Sequence, residues 1–579
     1  MSNARGDVDR RRFVAFLSGF GLASTALPSL LWAEQEKSGS VSREALIGAE
    51  KLVGLEFTDD ERELMLNGLE GLRKNYESLR EVPLDNSVSP ALHFDPVMPG
   101  MTLPSVPSKD RRSQARLKRR PADDAELAFL PVTELGNLIR IGEVSSEELT
   151  TLYLDRLKRH DPELHCVVTL TEERAMAQAR RADRDLAMGI WKGPLHGVPW
   201  GAKDLLAVRG YPTTWGAAPY KDQVIDEDAT VVKRLDDAGA VLVAKLTLGA
   251  LAWGDVWFGE KTRNPWNTEQ GSSGSSAGPG SATAAGLVGF SIGSETWGSI
   301  VSPSTRCGVS GLRPTFGRIS RHGAMALSWS MDKLGPMCRS VEDCALVFKA
   351  VHGADGLDPT AVDHPFAWDA ELDFRSLRVG YLKSIFEREL EFEDEDTEED
   401  RTRARDWHAL DLASLQILES LGVELIPIEL PDLPVDALSF ILSAEAGAAF
   451  DELTRSGRDD ELVRQIENAW PNEFRQSRTI PAVEYIQANR VRTLLMRETE
   501  RLLAGLDCWV SPSFGGSNLL MTNLTGHPTV VVPNGFRSDG TPTSITFNGR
   551  LFGEAQILAL TRTYQEATGF HRRHPAGFR

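Results

Sequence analysis

Gly271-Ser272-Ser273-Gly274-Ser275-Ser276-Ala277-Gly278-Pro279-Gly280-Ser281 is the stretch on which the reading of this chain turns. Taken alone, so much glycine and serine describes a flexible linker. Its flanks argue otherwise. An Asn264-Pro265-Trp266-Asn267 turn precedes it, and small-residue helical sequence, Ala282 to Gly289, follows. A linker in mid-domain makes little sense. A tight loop whose small side chains let the backbone approach a substrate closely accounts for it better.

Two further segments flank this loop. Upstream, Leu195-His196-Gly197-Val198-Pro199-Trp200-Gly201-Ala202-Lys203-Asp204 is an apolar, strand-like run that ends in a lysine. Such a lysine either snorkels to water or is buried. Burial disfavours the ammonium form, so an interior Lys203 is a candidate base near neutral pH. Downstream lies Gly293-Ser294-Glu295-Thr296-Trp297-Gly298-Ser299-Ile300, which runs on to Cys307-Gly308-Val309-Ser310-Gly311-Leu312-Arg313-Pro314-Thr315. Glycine before serine permits a tight turn with several backbone N–H groups aimed one way. Such a turn holds a nucleophile and its oxyanion hole together.

In this order and spacing the three segments resemble the amidase signature family. The resemblance covers about residues 131–351 and resumes from Cys508 to the end. It rests on S-S-E-E-L, H-G-V-P-W-G-A-K-D, N-P-W-N, G-S-S-G-S-S-A-G, G-S-I, C-G-V-S-G-L-R-P-T-F-G-R and M-D-K-L-G-P. It implies a Ser–cis-Ser–Lys triad in which Lys203 is the lysine, Ser275 the serine preceded by a cis peptide bond, and Ser299 the acylated serine. The offset of 24 positions from Ser275 to Ser299 agrees with that assignment. Backbone amides of Thr296, Trp297, Gly298 and Ser299 match the oxyanion hole. The implied activity is hydrolysis of a carboxamide C–N bond through an acyl-enzyme, with no metal and no organic cofactor. The implied fold is α/β, a large mixed sheet covered by helices on both faces.

Two departures bear on the substrate. Trp297 stands where relatives often have a glycine, and Val301 with Ser302 follows G-S-I where an arginine often does. Such an arginine can bind a substrate carboxylate, so an acidic small substrate is disfavoured. The E-T-W-G-S-I variant looks more like the peptide-amidase branch. Other readings on this fold are the glutamine-amidase subunit of a tRNA-dependent amidotransferase and a non-catalytic binding protein.

The rest of the chain frames this core. Its 579 residues carry 64 Lys and Arg against 83 Asp and Glu, a formal charge of -19, which disfavours nucleic acid as a main partner. The expected partner is a small-molecule amide. Five scattered cysteines without a C-x-x-C pair suggest neither zinc nor a disulfide framework and read as small core residues. Arg10-Arg11-Arg12 before the apolar run Phe13 to Leu31, with Leu31-Trp32-Ala33 as a cleavage site, resembles a twin-arginine export signal over residues 1–33. Uncleaved, the same run would be a membrane anchor. A bacterial periplasmic or secreted protein is therefore expected.

Residues 34–121 read as an arm. Two helical pieces span Ser42 to about Leu79, the second opened by the Thr58-Asp59-Asp60-Glu61 capping box, with the stripe Met65, Leu69 and Leu72. A proline-rich stretch follows, then Lys109 to Arg120 with seven basic residues, expected as a solvated face. The catalytic domain is expected over 122–579. Ser145-Ser146-Glu147-Glu148 reads as a capping box, Ala229 to Ala238 as helix and Ala240 to Leu246 as buried strand. Residues 366–500 read as a largely helical, motif-free insertion with a helix capped by Thr397, and are expected to build part of the substrate pocket. Thr529 to Val532 reads as a strand, and a final helix begins near Glu554.

Overall fold

The computed structural model describes residues 41–83, 92, 94–393 and 396–579. The export-signal reading of residues 1–33 lies outside them. Two helices open the described chain, α1 (Arg43–Val53) and α2 (Asp59–Arg80). The Thr58 capping box is formed in both directions: the Glu61 N–H donates to Thr58 Oγ1 at 3.3 Å, and the Thr58 N–H donates to Glu61 Oε2 at 2.6 Å. Met65 and Leu69 are buried as the stripe requires, and Leu72 is partly so.

Among the described residues, eleven strands form one mixed sheet and two more a separate ribbon. In chain order the strands are β1 (Val167–Leu170), β2 (Pro199–Lys203), β3 (Val241–Leu246), β4 (Arg263–Asn264), β5 (Asn267–Gly271), β6 (Phe290–Glu295), β7 (Ser310–Arg313), β8 (Lys333–Cys338), β9 (Val379–Leu382), β10 (Leu425–Ile428), β11 (Cys508–Pro512), β12 (Thr529–Phe536) and β13 (Pro542–Gly549). The large sheet runs β1-β3-β2-β6-β8-β7-β12-β13-β11-β9-β10, and β4 pairs with β5 in the ribbon. Parallel pairs β3-β2-β6 and β11-β9-β10 flank an antiparallel centre from β6 through β13 to β11. Every residue of β2, β3, β8 and β13 is buried. Burial without alternation means both faces of the sheet are covered, the α/β arrangement the sequence implies.

Helices that matter for the site are α3 (Ser146–Leu164), α4 (Thr230–Asp237), α5 (Ala277–Ala284), α6 (Val301–Cys307), α7 (Glu398–Ser420), α8 (Phe440–Ala449), α9 (Trp470–Ser477) and α10 (Glu554–Thr568). Thr397 caps α7, accepting from the Asp400 N–H at 3.1 Å. Ile557, Leu558 and Tyr564 turn inward from α10. All five cysteines are buried and unpaired.

Three expectations need correction. The small-residue helix starts at Ala277, inside the segment read as loop, because Pro279 falls in the first turn, where its missing N–H costs nothing. Ser145 caps α3 in one direction only, accepting from the Glu148 N–H at 3.0 Å; the Glu148 carboxylate is drawn instead to Arg120, 3.0 Å away. Residues 366–500 are not helical alone, since β9 and β10 extend the edge of the sheet. The basic stretch is largely exposed, as a solvated face requires, with Lys109, Arg112, Arg116, Lys118 and Arg119 all at the surface, and several of its cations have partners there. Arg111 pairs with Asp369 at 2.8 Å, Arg116 with Glu566 at 3.4 Å and Arg120 with Asp124 at 2.5 Å, while Arg112 lies over the Trp191 ring. A surface rich in carboxylates gives these cations partners that their own sequence does not reveal.

The arm is therefore attached. The Arg111 N–H donates to the Trp368 carbonyl at 2.7 Å and its own carbonyl accepts from Ala370 at 2.9 Å. At the other end α2 docks on α9: Asn472 Nδ2 donates to the Leu64 carbonyl at 2.9 Å, and Arg475 pairs with Glu61 at 2.8 Å.

Candidate active site

Strand β2 delivers Lys203 to the interior at its last position, with no exposed surface. Its Nζ lies 2.8 Å from Ser275 Oγ, 2.8 Å from Ser294 Oγ and 3.1 Å from Ser276 Oγ. Among the described residues no carboxylate forms an ion pair with it. Burial therefore pushes its pKa well below the ordinary lysine range, against the opposing pull of Asp332 and Glu295. Lys245 on the neighbouring strand β3 shows the contrast. It is equally buried, yet Asp204 stands 2.6 Å away as counter-ion.

The glycine–serine loop supplies the second side chain. The Gly274–Ser275 peptide is cis, and Ser275 is buried beside Lys203. No side chain fits at Gly274: a Cβ there would come within 1.8 Å of the Gly254 carbonyl oxygen. The Ser276 N–H donates to the Ser299 carbonyl at 3.1 Å, which ties this loop to the turn after β6.

That turn, residues 296–299, joins β6 to α6. Gly298 has φ +87°, a left-handed conformation that favours glycine. Glu295 shapes what the turn offers. Its buried carboxylate accepts from the Ile300 N–H at 2.8 Å and the Val301 N–H at 3.0 Å, capping α6. Arg313 donates to it at 2.6 Å and Asn523 at 2.8 Å. Burial alone would raise the Glu295 pKa, but the Arg313 charge and these donors hold it at about 2. The amides of Thr296, Trp297, Gly298 and Ser299, by contrast, donate to nothing among the described residues. Four unspent N–H groups in one turn match an oxyanion site. The Thr296 side chain is fixed apart from them, donating to Asp332 at 2.5 Å.

Ser299 is half-buried and faces a cavity of about 490 Å³. Trp253, Trp297 and Trp470 line that cavity, as do Ser443 and Glu473 from α8 and α9. A second cavity of about 280 Å³, reaching to Lys333, shares Ala252, Thr296 and Leu327 with it. The structure thus brings Lys203 and Ser275 into hydrogen-bond contact and sets Ser299 in the adjoining turn. Among the described residues Ser299 Oγ has no hydrogen-bond partner. Sequence reading missed the Glu295–Arg313–Asn523 cluster. Its signal was an acid and a base, Glu295 and Arg313, each at the end of a strand-like run within motifs already singled out.

Comparisons with known proteins show which family and fold the chain resembles. The Amidase family profile matches residues 148–519. A glutamyl-tRNA(Gln) amidotransferase subunit of Roseiflexus sp. (strain RS-1) is 33% identical over 494 residues, covering 77% of this chain and 98% of that protein. The subunit of the same name from Moorella thermoacetica (strain ATCC 39073 / JCM 9320) is 33% identical over 498 residues, covering 78% and 99%. The structure of native peptide amidase from Stenotrophomonas maltophilia matches with a TM-score of 0.66 at 28% identity, over 77% of this chain and 98% of that one. A bacterial aryl acylamidase shares the fold, with a TM-score of 0.67 at 20% identity over 78% and 99%.

Proposed function

Because this chain belongs to the amidase signature family, we propose that its amide hydrolysis is that of a free-standing serine amidohydrolase, with Ser299 as nucleophile. The observation that carries the reading is the buried Lys203 Nζ, 2.8 Å from Ser275 Oγ and without a counter-ion among the described residues. A serine hydroxyl attacks only when a base takes its proton. Neutral Lys203 has two N–H groups, which the hydroxyls of Ser276 and Ser294 can accept, and one lone pair, which Ser275 O–H can donate into.

In acylation Ser299 Oγ bonds to the substrate carbonyl carbon. Its proton passes to Ser275 Oγ, whose own proton passes to Lys203 Nζ. The oxyanion receives N–H donors from residues 296–299, each contributing about 3 kcal/mol. Collapse breaks the C–N bond, and the relay returns its proton to the leaving nitrogen. Water then repeats the attack on the acyl-Ser299 ester, using the same base, and releases the acid.

The amidotransferase-subunit reading has its own support, since the curated relatives named above are such subunits. Val301 and Ser302, where an arginine often follows G-S-I, argue against it, as does the export-like start. The E-T-W-G-S-I turn and the likeness to peptide amidase favour that branch. We also propose export through Arg10, Arg11 and Arg12, with catalysis outside the cytoplasm. Ammonia release from primary carboxamides by the purified chain alone tests the function. Release that vanishes in Ser299→Ala supports the hydrolase. Activity only after addition of amidotransferase partner subunits supports the other reading.

A further inference from the structure

The cavity over Ser299 holds one group that the reaction does not use. Among the described residues lining it, Glu473 alone is ionisable. It sits in the first turn of α9, and α9 is held from behind by α2 through Asn472 and Arg475. Ser443 Oγ donates to Glu473 Oε2 at 3.1 Å. Among the described residues no cation pairs with the carboxylate, and burial raises its pKa above the ordinary glutamate value. A carboxylate short of water and of counter-charge gains most from a cation brought by the ligand.

The walls favour the same kind of guest. Trp470 is set rigidly, its Nε1 donating to the Leu251 carbonyl at 2.9 Å, one face stacked on Phe474 at 5.1 Å and its ring meeting Trp253 edge-on at 4.7 Å. Trp297 lines the cavity from the nucleophile turn. Tryptophan faces attract ammonium and guanidinium groups through the ring quadrupole. No arginine or lysine lines the cavity among the described residues, and Val301 and Ser302 stand where an anion-binding arginine would follow G-S-I. The neighbouring Arg464 guanidinium lies behind the lining, donating to the Asn468 carbonyl at 3.0 Å, so within the lining an anionic substrate would meet the like charge of Glu473.

We propose that Glu473 is a specificity determinant that selects amides carrying a positively charged group, an ammonium or a guanidinium, held in this cavity beside the scissile bond. The inference rests on Ser299 being the nucleophile. The test uses carboxamides of matched length whose terminal group is cationic, neutral or anionic, with the charge on the acyl side in one series and on the amine side in another. The cationic member of one series should exceed its neutral isostere in kcat/KM by roughly ten- to a hundredfold, the worth of one hydrogen bond to a charged group. The anionic member should be poorest. In Glu473→Gln the cationic-to-neutral ratio should fall to about one, and in Glu473→Lys the order should turn toward the anion. A wild-type ratio near one in both series, or a ratio that survives Glu473→Gln, overturns the proposal while leaving the hydrolase reading intact. Should no amide be turned over, the hydrolase reading fails, and binding decides the charge preference. Tryptophan quenching in Ser299→Ala should report tighter binding of the cationic amide than of the neutral one, a difference lost in Ser299→Ala/Glu473→Gln. Equal binding of the two overturns the proposal.

Discussion

Substituting Glu295 by glutamine removes one charge and almost no volume, which makes it a clean probe of the turn that presents Ser299. Held at about 2 against an ordinary 4.5, the carboxylate contributes about 3 kcal/mol of folding stability at neutral pH. The sign follows from the direction. A depressed carboxylate pKa stabilises fully above 4.5, and the contribution is lost as pH falls from there toward 2. Glutamine forfeits that amount and turns an NH₂ toward a site that receives donors from Ile300, Val301, Arg313 and Asn523. It also leaves the buried Arg313 guanidinium without its counter-charge, its other partners among the described residues being the neutral His527 carbonyl at 3.0 Å and Thr529 Oγ1 at 2.5 Å. Breaking a buried pair from one side costs about 3–5 kcal/mol. Urea unfolding followed by tryptophan fluorescence at pH 7 should show a loss of that size, together with a fall in activity. The gap between wild type and variant should narrow as pH drops below 4.5. Adding Arg313→Met should cost less than the two single changes together, because no uncompensated charge then remains. A loss under about 1 kcal/mol at pH 7, far below the range for a broken buried pair, or a gap that ignores pH, would refute this account of the turn.

Lys203→Ala should lose activity by two orders of magnitude or more on acylation, within the usual worth of a positioned base of about 10²–10⁴-fold. Lys203→Arg should fail equally, because arginine keeps its proton at any accessible pH. In the wild type acylation should rise with pH as the ammonium form is titrated away, levelling off well below the ordinary lysine range because burial lowers the Lys203 pKa. An active Arg variant removes Lys203 from the mechanism. Changing Arg10, Arg11 and Arg12 together to lysine should keep the full-length protein in the cytoplasm on fractionation; undiminished export would show that the triple arginine is not the signal.

How much of this was legible in the sequence depends on where the information sits. Lys203, Ser275 and Ser299 were assigned only through the resemblance of three segments, in order and spacing, to the amidase signature family; alone, a lysine closing an apolar strand, serines packed between glycines, and Gly298 before a serine are each ambiguous. The capping box at Thr58 was readable because its reciprocal bonds join residues three apart. The same pattern at Ser145 closed only halfway, because Arg120 is near Glu148 in space and remote in sequence. Long-range pairing likewise hid the edge strands β9 and β10, four residues each, inside sequence that reads as helix. Glu473 was invisible for the same reason. Nothing local distinguishes it from a solvated glutamate on α9 until the fold sets it against Trp470 and the cavity above Ser299.

The central claim is that Ser299 is the acylated residue. Intact-mass analysis after exposure to a fluorophosphonate, followed by peptide mapping, tests it most directly. The account predicts a single adduct, located on Ser299, absent from Ser299→Ala and formed far more slowly in Lys203→Arg. The Ser299→Ala protein should remain folded, since the loss of one hydroxyl opens almost no cavity. An adduct of undiminished yield on Ser275, Ser294 or any other serine in the Ser299→Ala protein would contradict the account.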